Sequence, residues 1–152
     1  MGMPPNAPSG SREIVITFED LCGRGQPVGP LPTGYAGFTW SESAWFMTRE
    51  FSSSVRPGQA ALFNAHGEDL FFEREHPFGL KELSLSLLWM NTVEILVEGW
   101  ETGVCKFAET ATARKNAAIR LKLDFRDVDR VGLKSGGDHV VIHAVTFVFK
   151  EV

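Results

Sequence analysis

The chain has only two cysteines in 152 residues, Cys22 and Cys105, and neither belongs to a CxxC or Cys/His spacing. Zinc-knuckle and redox motifs are thereby excluded, and two separate thiols are the simpler reading, with a single Cys22–Cys105 bridge as the alternative. Positive charge is also scarce. Fifteen Lys and Arg face nineteen Asp and Glu, a formal net charge of -4, so no basic field exists to attract nucleic acid. Long apolar runs are missing too: the densest stretch, LSLLWM from Leu85 to Met90, soon meets Asn91 and Glu94, far short of the roughly eighteen residues of a membrane span. Residues 1–12, MGMPPNAPSGSR, lack the apolar centre of a secretory signal. They read as a loose tail ahead of a single domain at 13–152, with a cytoplasmic location expected unless a leader has been trimmed. No repeat of fixed period and no GxSxG, HExxH or P-loop occurs. No reaction is therefore named, and the reading leans away from an enzyme.

What is present is alternation. Ile14, Ile16 and Phe18 alternate with Val15, Thr17 and Glu19; Leu83, Leu85, Leu87 and Trp89 do the same, as do Val93, Ile95 and Val97, and again Ile119, Leu121, Leu123 and Phe125. Such spacing places apolar side chains on one face of a strand and cannot form one helical stripe. Turn residues separate the runs at Asn64-Ala65-His66-Gly67, Gly99 to Gly103 and Ser135-Gly136-Gly137-Asp138. FAETATARKNAA has helix-friendly composition but no apolar stripe. The expectation is an all-β fold of eight to ten short strands, a jelly-roll type two-sheet antiparallel β-sandwich, with an up-and-down barrel as the alternative. A core of this size buries about 70% of the unfolded chain's surface. Trp89 and Trp40 are expected inside it, and Asp124, Asp127 and Asp129 in DFRDVDR are expected in a solvated turn, because they do not fit an EF-hand.

The segment Gly34-Tyr35-Ala36-Gly37-Phe38-Thr39-Trp40 packs three aromatics and two glycines into seven residues. Glycines permit close backbone approach around bulky rings, so Tyr35, Phe38 and Trp40 are read mainly as packing groups, with one of them facing a ligand as the alternative. The order of features, ITFEDL, a Pro/Gly loop into GYAGFTW, LLW, VEILVEGWETG and a last strand after GGDH, resembles the galactose-binding-like β-sandwiches of carbohydrate-binding modules. That resemblance implies a glycan-binding or lectin-like role. It also implies a structural calcium held by acids near the first and last strands: Glu19 and Asp20 match the first place, and Asp138 is the nearest acid to the last, where Ile142-His143-Ala144 stands instead.

A sugar site needs a flat apolar ring and planar polar groups around it. Trp45 in SESAWF and Trp100 in GWETG are the candidate platforms, with Arg49, Asn64, His66 and Asp69 as candidate polar partners. The first functional reading is a non-catalytic module for a glycan or small-molecule ligand. The second is an interaction or structural domain whose exposed aromatics bind protein, a copy of itself included. The third is a small enzyme using His66 or His143 with a carboxylate. His139 and His143, about 13 Å apart on a strand, cannot share one ion unaided.

Overall fold

The computed structural model describes residues 11–115 and 117–150. Most of the expected tail, residues 1–10, lies outside the described residues, while Ser11 and Arg12 already pair with Lys150 and Phe149. Ten strands follow: β1 Ser11–Ile16, β2 Val28–Pro30, β3 Thr39–Trp40, β4 Ala44–Thr48, β5 Ala60–Asn64, β6 Leu70–Leu87, β7 Thr92–Glu101, β8 Val104–Arg114, β9 Ile119–Lys134 and β10 Val140–Lys150. Every pairing is antiparallel, in the order β2-β4-β5-β10-β6-β9-β7-β8, with β1 added on β10 and β3 on β6. The helix-friendly FAETATAR is strand, most of β8.

The chain is the expected all-β sandwich, but its two layers remain one hydrogen-bonded sheet. Strands β6 and β9 are long, and they pair from Leu70↔Leu133 to Leu85↔Ile119 with register shifts between Glu73 and Glu82. On β9 the expected solvated turn is replaced by a bent strand. Asp124 and Asp127 take left-handed backbone conformations (φ 56 and 52) without ending the pairing. Bulges of this kind bend and twist a strand pair, and they carry β6 and β9 together around the corner of the sandwich. The first residues of β6 and the end of β9 thus join β3, β7 and β8 in one layer. Their other halves join β10, β5, β4, β2 and β1 in the second.

Between the layers lies the main core, where the alternating apolar positions meet: Leu83, Leu85, Ile95, Val97, Phe125 and Val145 are all buried there. Gly99 of β7 makes the closest approach. A Cβ at this position would stand 2.7 Å from Phe125 Cδ2 and 3.1 Å from Val128 Cγ1, distances that require both core side chains to move. Gly99→Ala is expected to cost about 1–3 kcal/mol through overpacking, read as a lowered urea midpoint. An unchanged midpoint would show that the layers have slack at this point.

In GYAGFTW, Phe38 is a packing group. Its ring is 1% exposed and lies 4.7 Å from Phe147, 4.9 Å from Phe78 and 5.4 Å from Phe72, measured between centroids. Tyr35 and Trp40 are half-buried against the same core. The Trp40 indole N–H donates to the Tyr35 carbonyl at 2.7 Å, and the Tyr35 hydroxyl donates to Asp20. Burial and that bond push the Tyr35 phenol well above its ordinary pKa. Trp89, in contrast, is not core: it is 65% exposed, beside Met90 at 50%. The apolar alternation of β6 ends at Leu87. The Leu88 N–H then bonds the His139 carbonyl, and the chain leaves the sheet before Trp89 can follow the inner face.

Candidate binding groove

Residues of three neighbouring strands that face away from the core build an open groove of about 670 Å³. The register places Phe71 of β6 opposite Gly132 of β9, and Gly132 opposite Glu98 of β7; one step along, Glu73, Arg130 and Trp100 lie in line across the same strands. Gly132 is the floor. A Cβ there would meet nothing nearer than the Leu70 carbonyl oxygen at 3.9 Å, so the missing side chain opens a depression between Phe71 and Glu98. Asp69, Arg74, Glu75, Asp129 and Lys134 add to the polar lining.

These side chains are held in place by one another. The Arg130 guanidinium lies 4.1 Å from the Phe71 ring centroid, a cation–π contact that fixes both groups. Lys134 Nζ sits 3.1 Å from Glu98 Oε1, and the ammonium pKa is raised, first by that bond and then by the charge of Glu98. Asp129 Oδ2 accepts the Thr102 backbone N–H at 2.9 Å. Trp100 is different. It is half-buried, and among the described residues no ring contact or hydrogen bond engages its indole. A half-exposed indole amid planar carboxylates and guanidinium groups can present an apolar face and an N–H donor to the same ligand.

Of the residues singled out in the sequence, Trp100 and Asp69 meet in this groove. Trp100 lies within β7 rather than in the turn, because only Thr102 and Gly103 take the positive-φ conformations of a two-residue hairpin turn. Trp45 and His66 stand elsewhere, edge to face with centroids 5.7 Å apart, and Trp45 packs on a smaller cluster around Met47, Ala61 and Phe63. Arg49 donates to the Val55 carbonyl at 3.3 Å. Asn64 is 3% exposed and its amide is committed: it donates to the Glu68 and Asp138 carbonyls and accepts the Val140 N–H at 2.7 Å. It pins the start of β10 and has no group left for a ligand.

The acids of the implied calcium site do not converge. Glu19 and Asp20 lie on a single 3-10 turn, while Asp138 lies in the turn before β10, bonded to Asn64 and Ser135. Among the described residues no three His, Cys, Asp or Glu gather to hold an ion. His139 bonds the Ala65 carbonyl and His143 bonds Ser86, so the two histidines act separately. Both thiols are free. The residues that the sequence reading missed, Phe71, Glu98, Arg130 and Lys134, carry a signal after all: in DRVGLK the buried Val131 and Leu133 alternate with Arg130, Gly132 and Lys134, which marks the outer face.

No protein-family model matches the chain, and no curated protein matches it. Among solved structures, an agarase aligns over 84% of this chain with a TM-score of 0.51 and 7% identity, the chain spanning only 25% of that protein. The chain shares its fold with part of an agarase. A CBM61 module in complex with β-1,4-galactotriose aligns over 79% of this chain and 95% of its own, with a TM-score of 0.39 and 13% identity. The CBM51-2 and INT domains of Clostridium perfringens ZmpB align over 90% of this chain and 32% of theirs, with a TM-score of 0.43 and 14% identity. The β-sandwich expected from the sequence is the fold found.

Proposed function

We propose that the protein is a non-catalytic carbohydrate-binding module and that the groove over Gly132 is its glycan site. The observation that carries this reading is the combination at one place of an indole with no ring or hydrogen-bond partner among the described residues, a glycine floor and a ring of charged side chains. Trp100 supplies the apolar face for the C–H side of a sugar ring. Asp69, Glu98, Arg130 and Lys134 supply acceptors and donors for its hydroxyls, and bonds to charged groups of this kind are the stronger ones. Catalysis fits the same groove poorly. Hydrolysis of a glycosidic bond needs a pair of carboxyl groups free to act on it, whereas Glu98 is tied to Lys134 and Asp129 to the Thr102 N–H.

The experiment is a titration with a panel of galactans, other neutral polysaccharides and oligosaccharides, followed by calorimetry and by Trp fluorescence in a Trp89→Phe background that removes the exposed indole at the β6–β7 turn. Trp100→Ala should weaken binding by roughly thirtyfold, the loss of about 2 kcal/mol typical of an aromatic anchor. Its melting midpoint should change little, since the indole is outside the core. No heat and no fluorescence change across the panel would count against the glycan reading as a whole, and binding that survives Trp100→Ala would place the site elsewhere.

A further inference from the structure

On the outer face of the other layer, β6 and β10 carry a second groove of about 580 Å³, lined by Ser84, Ser86, His143, Arg56, Lys115 and Glu19 among others. Its centre is a β-bulge. Val141 pairs with Ser86, Ile142 with Leu85 and Ala144 with Ser84, which leaves His143 as the extra residue. Ile142 and Val145 both enter the main core, so the insertion turns His143 and Ala144 together to the outer face. A bulge is a common means of re-aiming one side chain. Here it brings His143 Nε2 to 2.7 Å from the hydroxyl of Ser86, a residue only 4% exposed.

The charges around this pair are unbalanced. Arg56 comes from the β4–β5 loop, Lys115 from the segment after β8, and neither forms an ion pair with another described residue. Glu19, from the 3-10 turn after β1, is the one acid of the lining among the described residues. We propose that this groove is a second binding site, for an oxyanion (a carboxylate, sulfate or phosphate group) carried by the ligand and held between Arg56, Lys115 and the Ser86–His143 pair. It goes beyond the glycan reading and does not depend on it.

Two guanidinium or ammonium donors and a row of serine hydroxyls suit an anion with several acceptor oxygens. His143 makes the site responsive to pH. Burial, and secondarily the charge of Arg56, hold its imidazole pKa below the usual value, so the ring is neutral at neutral pH. Protonated, it donates Nε2–H to Ser86 Oγ and leaves the hydroxyl hydrogen for the ligand, while adding a third positive charge against the single carboxylate of Glu19. Affinity for the anion therefore rises as pH falls through the titration of His143, and a bound anion in turn raises the pKa of the ring.

The test uses sodium sulfate, which stays dianionic throughout, with glucuronate as the carboxylate arm and glucose as the neutral arm. Imidazole signals of His143 are followed by NMR at about pH 5.5 and about pH 8, with His66 and His76 as internal references. Sulfate and glucuronate should move the His143 signals selectively, with binding about tenfold weaker at the higher pH, and Arg56→Gln should weaken it by about tenfold again. Trp100→Ala should leave this binding unchanged, which separates failure here from failure of the glycan site. Three results would overturn the proposal: no selective His143 response to sulfate, an equal response in a folded Arg56→Gln, Lys115→Gln double variant, or an equal response to glucose.

Discussion

Phe38→Ala leaves the protein unfolded or marginal at room temperature. The ring is the meeting point of Phe72, Phe78 and Phe147 and is sealed from water, so its removal forfeits burial and opens a cavity that the paired strands β6 and β10 cannot collapse into. Substitutions of this kind cost about 3–5 kcal/mol, against a total stability of the order of 5–15 kcal/mol for a domain. Urea unfolding of Phe38→Ala beside Trp89→Ala makes the comparison internal, because the exposed Trp89 should be removable within about 0.5 kcal/mol. Equal midpoints for the two variants would contradict the assignment of GYAGFTW to the core.

Gly132→Phe is expected to abolish glycan binding while the fold is kept. Space exists for the new side chain, since a Cβ at Gly132 meets only the Leu70 carbonyl oxygen at 3.9 Å, and replacing a strand glycine removes an entropic penalty of roughly 0.5–1 kcal/mol. The ring would then occupy the depression between Phe71 and Glu98 where a ligand would lie. Loss of binding by more than about a hundredfold, with an unchanged or raised melting midpoint, is the expected pattern. Wild-type affinity in a folded Gly132→Phe would remove the groove from consideration.

The sheet faces were legible because burial enforces period two: Leu83, Leu85 and Leu87, Ile95 and Val97, and Leu123 and Phe125 are all buried as their alternation requires. What escaped is where alternation stops or slips. Trp89 continues the pattern of β6 in sequence, yet the strand ends at Leu87, and nothing local distinguishes a last inward residue from the first residue of a turn. Asp124 and Asp127 look like turn residues because they tolerate positive φ, and they do adopt it, but inside a paired strand whose bend depends on them. The groove was half visible. Trp100 and Asp69 were singled out for their polar surroundings, whereas Phe71, Arg130 and Lys134 become neighbours only through the cross-strand register of β6, β9 and β7, which depends on pairing between segments distant in sequence. Asn64 misled for the opposite reason: a polar residue beside a turn is as useful to the backbone as to a ligand, and here the backbone takes most of its bonds.

The two grooves differ in what they are built on. Phe71, Gly132, Glu98 and Trp100 belong to strands, and the central one, β9, is hydrogen-bonded on both sides along the groove. A glycan laid across Gly132 therefore meets a preorganised surface. Almost none of the binding free energy is diverted into ordering the protein, so weak individual contacts accumulate as affinity. Across the molecule, Arg56 and Lys115 reach the His143 bulge from outside the strands, and immobilising such long side chains costs roughly 0.5–1.5 kcal/mol each. The same sheet thus offers a rigid template on one layer and an adaptable clamp on the other, and calorimetry should see the difference as a larger unfavourable entropy for the anion than for the glycan.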